Sequence, residues 1–176
     1  NYALDALTSG DYNVAVGHNA LSANSTGGEN TAIGHEALLT NTTASENTAV
    51  GFQALKLNTT GTGLVAMGRL ANHKNTTAND NTAIGFQALR ETTTGADNTA
   101  LGSAALYTNT TGARNTGLGH DALYTNATVS DNTAVGWKAL RVNVAASNTA
   151  VGSSALAANT TGHSNVAAGK GALDSN

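Results

Sequence analysis

The chain has 176 residues, a formal net charge of -3 and only 11% charged residues, with no Cys and no Pro. It holds 33 Ala while Leu, Ile, Val and Phe together number 31, too few for an ordinary globular interior, yet the low charge argues equally against disorder. A disulfide framework and thiolate metal sites are excluded, the redox compartment stays open, and eight scattered Lys and Arg form no basic patch for a nucleic acid.

Ala3-Leu4 opens the chain, and Val16-Gly17 gives the first complete beat of a pattern that runs to the end. Its glycines fall at Gly17, Gly34, Gly51, Gly68, Gly85, Gly102, Gly119, Gly136, Gly152 and Gly169, seventeen residues apart except for one step of sixteen. NTAVG stands before three of them, at 47–51, 132–136 and 148–152. Three residues after each glycine comes Ala, then Leu, broken only at Ala71-Asn72. A turn phrase follows, as in Asn24-Ser25-Thr26-Gly27 and Asn58-Thr59-Thr60-Gly61. One unit therefore reads N-T-A-V-G-x-x-A-L-x-x-N-T-T-G-x-x.

A unit this short cannot bury its own apolar residues and must stack on its neighbours. Asn, Thr and Gly at this density make poor helices. The expected fold is all-β: a β-solenoid of about ten 17-residue coils, residues 1–176 forming a single repeat domain. Each coil is expected to place a strand at T-A-V-G, a second short extended piece at A-L and a turn at N-T-T-G, where Asn and Gly accept unusual backbone angles. Ten such coils would rise roughly 48 Å at the inter-strand spacing of about 4.8 Å.

Alternation along the strand puts Thr48 and Val50 on one face and Asn47, Ala49 and Gly51 on the other. A slender solenoid covers one face and leaves the other as an apolar stripe, a feature that favours association. Parallel copies around a common axis, a homotrimer, would share that stripe. The alternative is a monomer with its Val and Leu inside and its Ala and Gly exposed. The Asn that opens each unit, Asn30, Asn47, Asn81 and their successors, is expected to form a side-chain amide ladder. Two units depart from the beat: Gly63–Asn72, which loses the Asn-Thr opening and the A-L pair, and the short loop Val142–Ser147. A kink, a binding feature and simple drift are all open there.

NTAVGFQALKLNTTG, NTAIGFQALRETTTGADNTALG and NTAVGSSALAANTTG resemble the repeats of phage and virus tail-fibre proteins. They are also similar, at a different repeat length, to the S-V-A-I-G head repeats of trimeric autotransporter adhesins of the YadA type. The resemblance covers essentially the whole chain. It implies a left-handed β-roll, a trimer, and a segment cut from a longer fibrous protein of a virion tail fibre or bacterial cell surface. The implied role is host attachment outside the cell, spacing or presenting a surface for a host receptor, a glycan above all, without insertion into a membrane.

Residue variation concentrates in two stripes. The two positions after the glycine hold Phe52, Arg69, Phe86, Trp137 and Lys138, together with His18, His35 and His120; the position after A-L holds Tyr107 and Tyr124 with Lys56, Arg90 and Arg141. Aromatic and Arg side chains are good contact anchors, so Phe52, Phe86, Trp137, Lys138, Tyr107, Tyr124 and Arg69 are the candidate recognition residues, with gap-filling between copies as the plainer reading of the rings. No nucleophile, base and orienting group converge, so no enzyme, metal or cofactor is expected; His18 with His35, and the acidic column Glu29, Glu46, Asp80, Asp97 and Asp131, are read as surface variation and a solvated turn. Ice binding by ordered Thr, and a glycan hydrolase of the tailspike kind with a site between protomers, are the rival functions. Seven N-x-S/T sequons begin at Asn24, Asn41, Asn58, Asn75, Asn109, Asn126 and Asn159, each a possible glycan acceptor on a secretory route.

Overall fold

The computed structural model describes residues 2–174. Ten three-residue strands, from Val14–Val16 to Val166–Ala168, lie side by side in chain order in one parallel sheet. Ten rungs enclose nine turns of a solenoid of about 17 residues each, as the spacing of the glycines predicts. Identical positions pair, for example Thr31 with Thr48, Ala32 with Ala49 and Ile33 with Val50. Neither irregular unit kinks the stack, since Thr48 pairs with Val65, Val65 with Thr82 and Thr133 with Thr149. In the short coil Asn143 keeps its rung, so the missing residue is absorbed by the turn that follows it.

The strand face settles which side chains form the interior. Ala32, Ala49, Ala66, Ala83, Ala100, Ala134 and Ala150 are fully buried. The flanking aliphatics point outward: Val16, Ile33, Met67, Leu101 and Val151 are exposed, and Val50, Ile84, Leu118 and Val135 are half-buried. The alternative with Val inside and Ala outside is overturned, because the bore between coils accepts only a methyl here. Each strand ends on its glycine at a φ of 121° to 140°. A Cβ added to Gly51 would lie 2.5 Å from the carbonyl oxygen of Gly68, so close stacking of the corners demands glycine.

The A-L segment is not the extended piece that the sequence suggests. It turns sharply, with Leu21, Leu38, Leu55, Leu89, Leu106, Leu123, Leu140 and Leu156 in the left-handed region at φ 47° to 53°. A Leu at positive φ is strained by on the order of 1 kcal/mol or more. Burial offsets it, for these Leu side chains are completely enclosed, and full burial of a Leu contributes about 1.5–3 kcal/mol. The turn still bonds to the next coil: the Leu38 amide donates to the Ala54 carbonyl at 3.1 Å and the Leu55 amide to Ala71 at 3.1 Å. Among the described residues a second pair of strands exists only at Val142–Asn143 and Ala158–Asn159.

Two Asn ladders close the interior. In the expected one, the Asn47 amide donates to Asn30 Oδ1 at 3.1 Å and the Asn98 amide to Asn81 Oδ1 at 2.8 Å, while Asn47 Nδ2 reaches the Gly61 carbonyl at 2.9 Å. The second is built from the Asn of N-T-T-G, which is fully buried and not a surface turn residue. Asn58 Nδ2 donates to Asn41 Oδ1 at 2.9 Å and to the Gly61 carbonyl at 2.9 Å. All seven sequon asparagines belong to this ladder with no exposed surface. In the folded chain their amide nitrogens are therefore closed to glycosylation.

Candidate functional site

The residue after each glycine lies just past the corner that ends the sheet, and successive coils bring these residues into one column. His18 and His35 stack at 5.1 Å between ring centroids, and His35 stacks on Phe52 at 5.2 Å. The Arg69 guanidinium follows, 5.6 Å from the centroids of both Phe52 and Phe86. This column runs unbroken over five coils and stops where Ser103 stands next to Phe86. His120 and Trp137 resume it, with Lys138 Nζ 4.1 Å from the Trp137 ring centroid.

A second column follows the Leu corner. Tyr107 and Tyr124 stack at 5.1 Å with nearly parallel rings. Arg90 caps one end, 5.5 Å from the Tyr107 centroid and donating to its hydroxyl at 2.7 Å, and Arg141 caps the other, 5.4 Å from Tyr124. Between the two columns run polar bridges. Glu36 accepts from Gln53 and Lys56, both at 2.8 Å, and these bonds hold its carboxyl below the usual range. Asp121 lies 3.6 Å from Arg141 and 3.4 Å from His120; just beyond the second column Glu91 pairs with both Lys74 and Arg90. His73, half-buried beside Arg90, is held below its ordinary value chiefly by burial and then by the cations around it.

All seven sequence-predicted residues thus fall into these two columns: Phe52, Arg69, Phe86, Trp137 and Lys138 beside the sheet corner, Tyr107 and Tyr124 beside the Leu corner. The shared position after the glycine predicts that His18 stacks on His35; it does not reveal that Phe52, Tyr107 and Tyr124 pack face to face with their neighbours as well. Their faces are largely taken, and mostly edges meet solvent. Phe86 and Trp137 are exceptions: Arg69 covers one face of Phe86 while the next coil supplies only Ser103, and Trp137 carries Lys138 over its ring with only Ser153 on the next coil. The parallel strand spacing could have signalled this, because identical positions one coil apart are at ring-stacking distance.

The acidic column lies on the other side of the sheet, before each strand. Every residue in it is left-handed, from Glu29 at φ 59° to Asp131 at φ 64°, with Gly63 and Arg114 adopting the same conformation. Arg114 pairs bidentately with Asp131 at 2.7 and 3.1 Å, which lowers the Asp131 pKa and raises that of Arg114. Among the described residues no three His, Cys, Asp or Glu gather as metal ligands, no pocket opens, and no helix is long and apolar enough to cross a membrane. Searches of protein-family models, curated proteins and solved structures find no match to this chain.

Proposed function

We propose that the chain is a non-enzymatic segment of an extracellular fibre, on a virion tail or a bacterial surface, whose left-handed coils associate as a parallel homotrimer and space or present a host-binding surface. The observation that carries this reading is the outward aliphatic stripe, which runs the length of the sheet through Val16, Ile33, Val50, Met67, Ile84, Leu101, Leu118, Val135 and Val151. An apolar strip of that length is a liability on a lone soluble chain and an asset between copies. Light scattering of the purified chain should give about three times its 17.5 kDa mass; a mass of one chain would refute the trimer.

Recognition of a host glycan or receptor falls to the two side-chain columns that the sheet leaves uncovered. Phe86, with its free face over Ser103, and Trp137, beside Lys138, offer the surfaces on which a sugar ring could lie. A glycan array probed with the chain and with Trp137→Ala tests this. A second reading, ice binding, rests on a column absent from the turn phrase: Thr31, Thr48, Thr82, Thr99, Thr116, Thr133 and Thr149 stand half-exposed on the strands, interrupted once by Val65. The aliphatic column beside it mixes Val, Ile, Met and Leu, which roughens the plane, and thermal hysteresis at micromolar protein decides the matter.

A further inference from the structure

We propose that neighbouring copies pack level and edge to opposite edge, with Arg69 of one copy entering the gap that Gly63 leaves in the acidic column of the next. The inference rests on the self-association proposed above and specifies its geometry. Going round one coil, the acidic column, the Thr column, the aliphatic column and the column after the glycine follow one another. The apolar stripe thus has the Thr column and then the carboxylates on one side, and the rings and Arg69 on the other.

The acidic edge contains a guanidinium slot that the chain fills once by itself. Arg114 stands in the column between Asp97 and Asp131 and bonds Asp131 through Nε and Nη2. The slot between Glu46 and Asp80 is equivalent, but Gly63 occupies it and offers no side chain. Asp80 leans into that space: its Oδ1 lies 2.5 Å from where a Gly63 Cβ would be. On the opposite edge of the same coil stands Arg69. Its guanidinium is fixed between Phe52 and Phe86, and among the described residues it forms no ion pair or hydrogen bond.

Rotation about an axis parallel to the solenoid keeps every coil at its own height and brings the acidic edge of one copy against the ring edge of the next. Arg69 then meets the Gly63 level of its neighbour, flanked by Glu46 below and Asp80 above. An antiparallel pairing matches heights at no more than one level or sets like edges together. The coil in which Gly63 leaves the acidic column without a side chain is therefore the coil that supplies the free Arg. Charge pairs at the rim of an apolar strip fix register and exclude wrong alignments.

The test uses Arg69→Lys, whose amine, unlike a guanidinium, forms an amide with a carbodiimide-activated carboxylate. Covalent species of two and three chains are expected, with the peptide carrying position 69 joined to that carrying Asp80 or Glu46, and with loss of the product in Asp80→Asn/Glu46→Gln. Arg69→Glu should raise the concentration at half-dissociation about tenfold or more while leaving the circular dichroism spectrum unchanged. If light scattering finds assembled chains but position 69 joins other carboxylates or none, the edge pairing is wrong and self-association stands. If scattering finds single chains throughout, both fall.

Discussion

Replacing Asn58 by Ala removes one rung from the second Asn ladder, and the cost follows from the bonds it holds. Asn58 Nδ2 donates to Asn41 Oδ1 and to the Gly61 carbonyl, both at 2.9 Å; Asn58 Oδ1 accepts from the Gly61 amide at 3.1 Å and from Asn75 Nδ2 at 2.9 Å. The site is fully buried, so Asn41 Oδ1 and the Gly61 amide are left without a bond and without water, while the Gly61 carbonyl keeps Asn47 Nδ2 and Asn75 Nδ2 keeps the Ala78 carbonyl. Four bonds at a net of about 1 kcal/mol each, with a further penalty for the orphaned groups, give a loss of roughly 4–6 kcal/mol. For a chain of this size that lowers the melting temperature by about 10–20 °C, measurable by circular dichroism. Thr59→Ala, one residue away, removes one bond from a half-buried hydroxyl to the Thr76 carbonyl and should cost about 1 kcal/mol or less. Equal losses for the two variants would refute the claim that the buried ladder holds the coils together.

Where the chain itself interrupts that ladder, the reverse change should stabilise. Thr92 stands in a rung's place, and both its Oγ1 and the Asn75 Oδ1 below it are buried without a partner; Thr92→Asn should raise stability by about 1–2 kcal/mol in thermal melts. Val50→Asp should abolish assembly in light scattering while leaving the chain folded, because Val50 faces outward, whereas Ala49→Asp buries a charge and should unfold it. Unfolding by both would show the faces to be misassigned. The depressed pKa of His73 has a sign: the unfolded chain takes up the proton first, so stability is full above the unfolded imidazole value near 6.5 and declines as pH falls below it. His73→Gln should flatten the denaturation midpoint measured against pH between 7 and 5, and an unchanged slope would exclude His73 as its source.

The period and the alternation of the strand faces were legible because both depend on spacing alone. A glycine every seventeen residues forces identical positions to stack, and two-residue alternation then separates Ala32 from Thr31 and Ile33. The conformation of the corners was not legible, because Leu is among the residues least expected at positive φ and Asn among those most expected in an exposed turn. Stacking reverses both expectations: a left-handed Leu turns its side chain into the bore, and a repeated Asn gains partners above and below that no isolated turn supplies. The same cause explains the candidate site. Its columns could be named from Phe52 and Tyr107 onward, but the contacts between rings belong to the stack. They become visible only once each coil is set on the next.

The coil that departs furthest from the repeat tests how far this stacking logic reaches. In it Leu64 takes an Asn place and Asn72 a Leu place, both completely buried. Leu64 still receives the ladder, since its amide donates to Asn47 Oδ1 at 3.0 Å. Asn72 stands between Leu55 and Leu89 with neither Oδ1 nor Nδ2 bonded, a condition that costs about 1–3 kcal/mol. Leu has the same branched outline and the neighbouring coils hold it at the same backbone angles, so Asn72→Leu should raise stability by about 2 kcal/mol, or 4–8 °C in the melt. The larger methyl groups could crowd Leu64, and the double variant Leu64→Asn/Asn72→Leu removes that possibility by restoring both columns. If the double variant melts no higher than the parent chain, the exchange is no defect, and buried polarity at the coil that carries Gly63 and Arg69 is compensated by something other than the repeat.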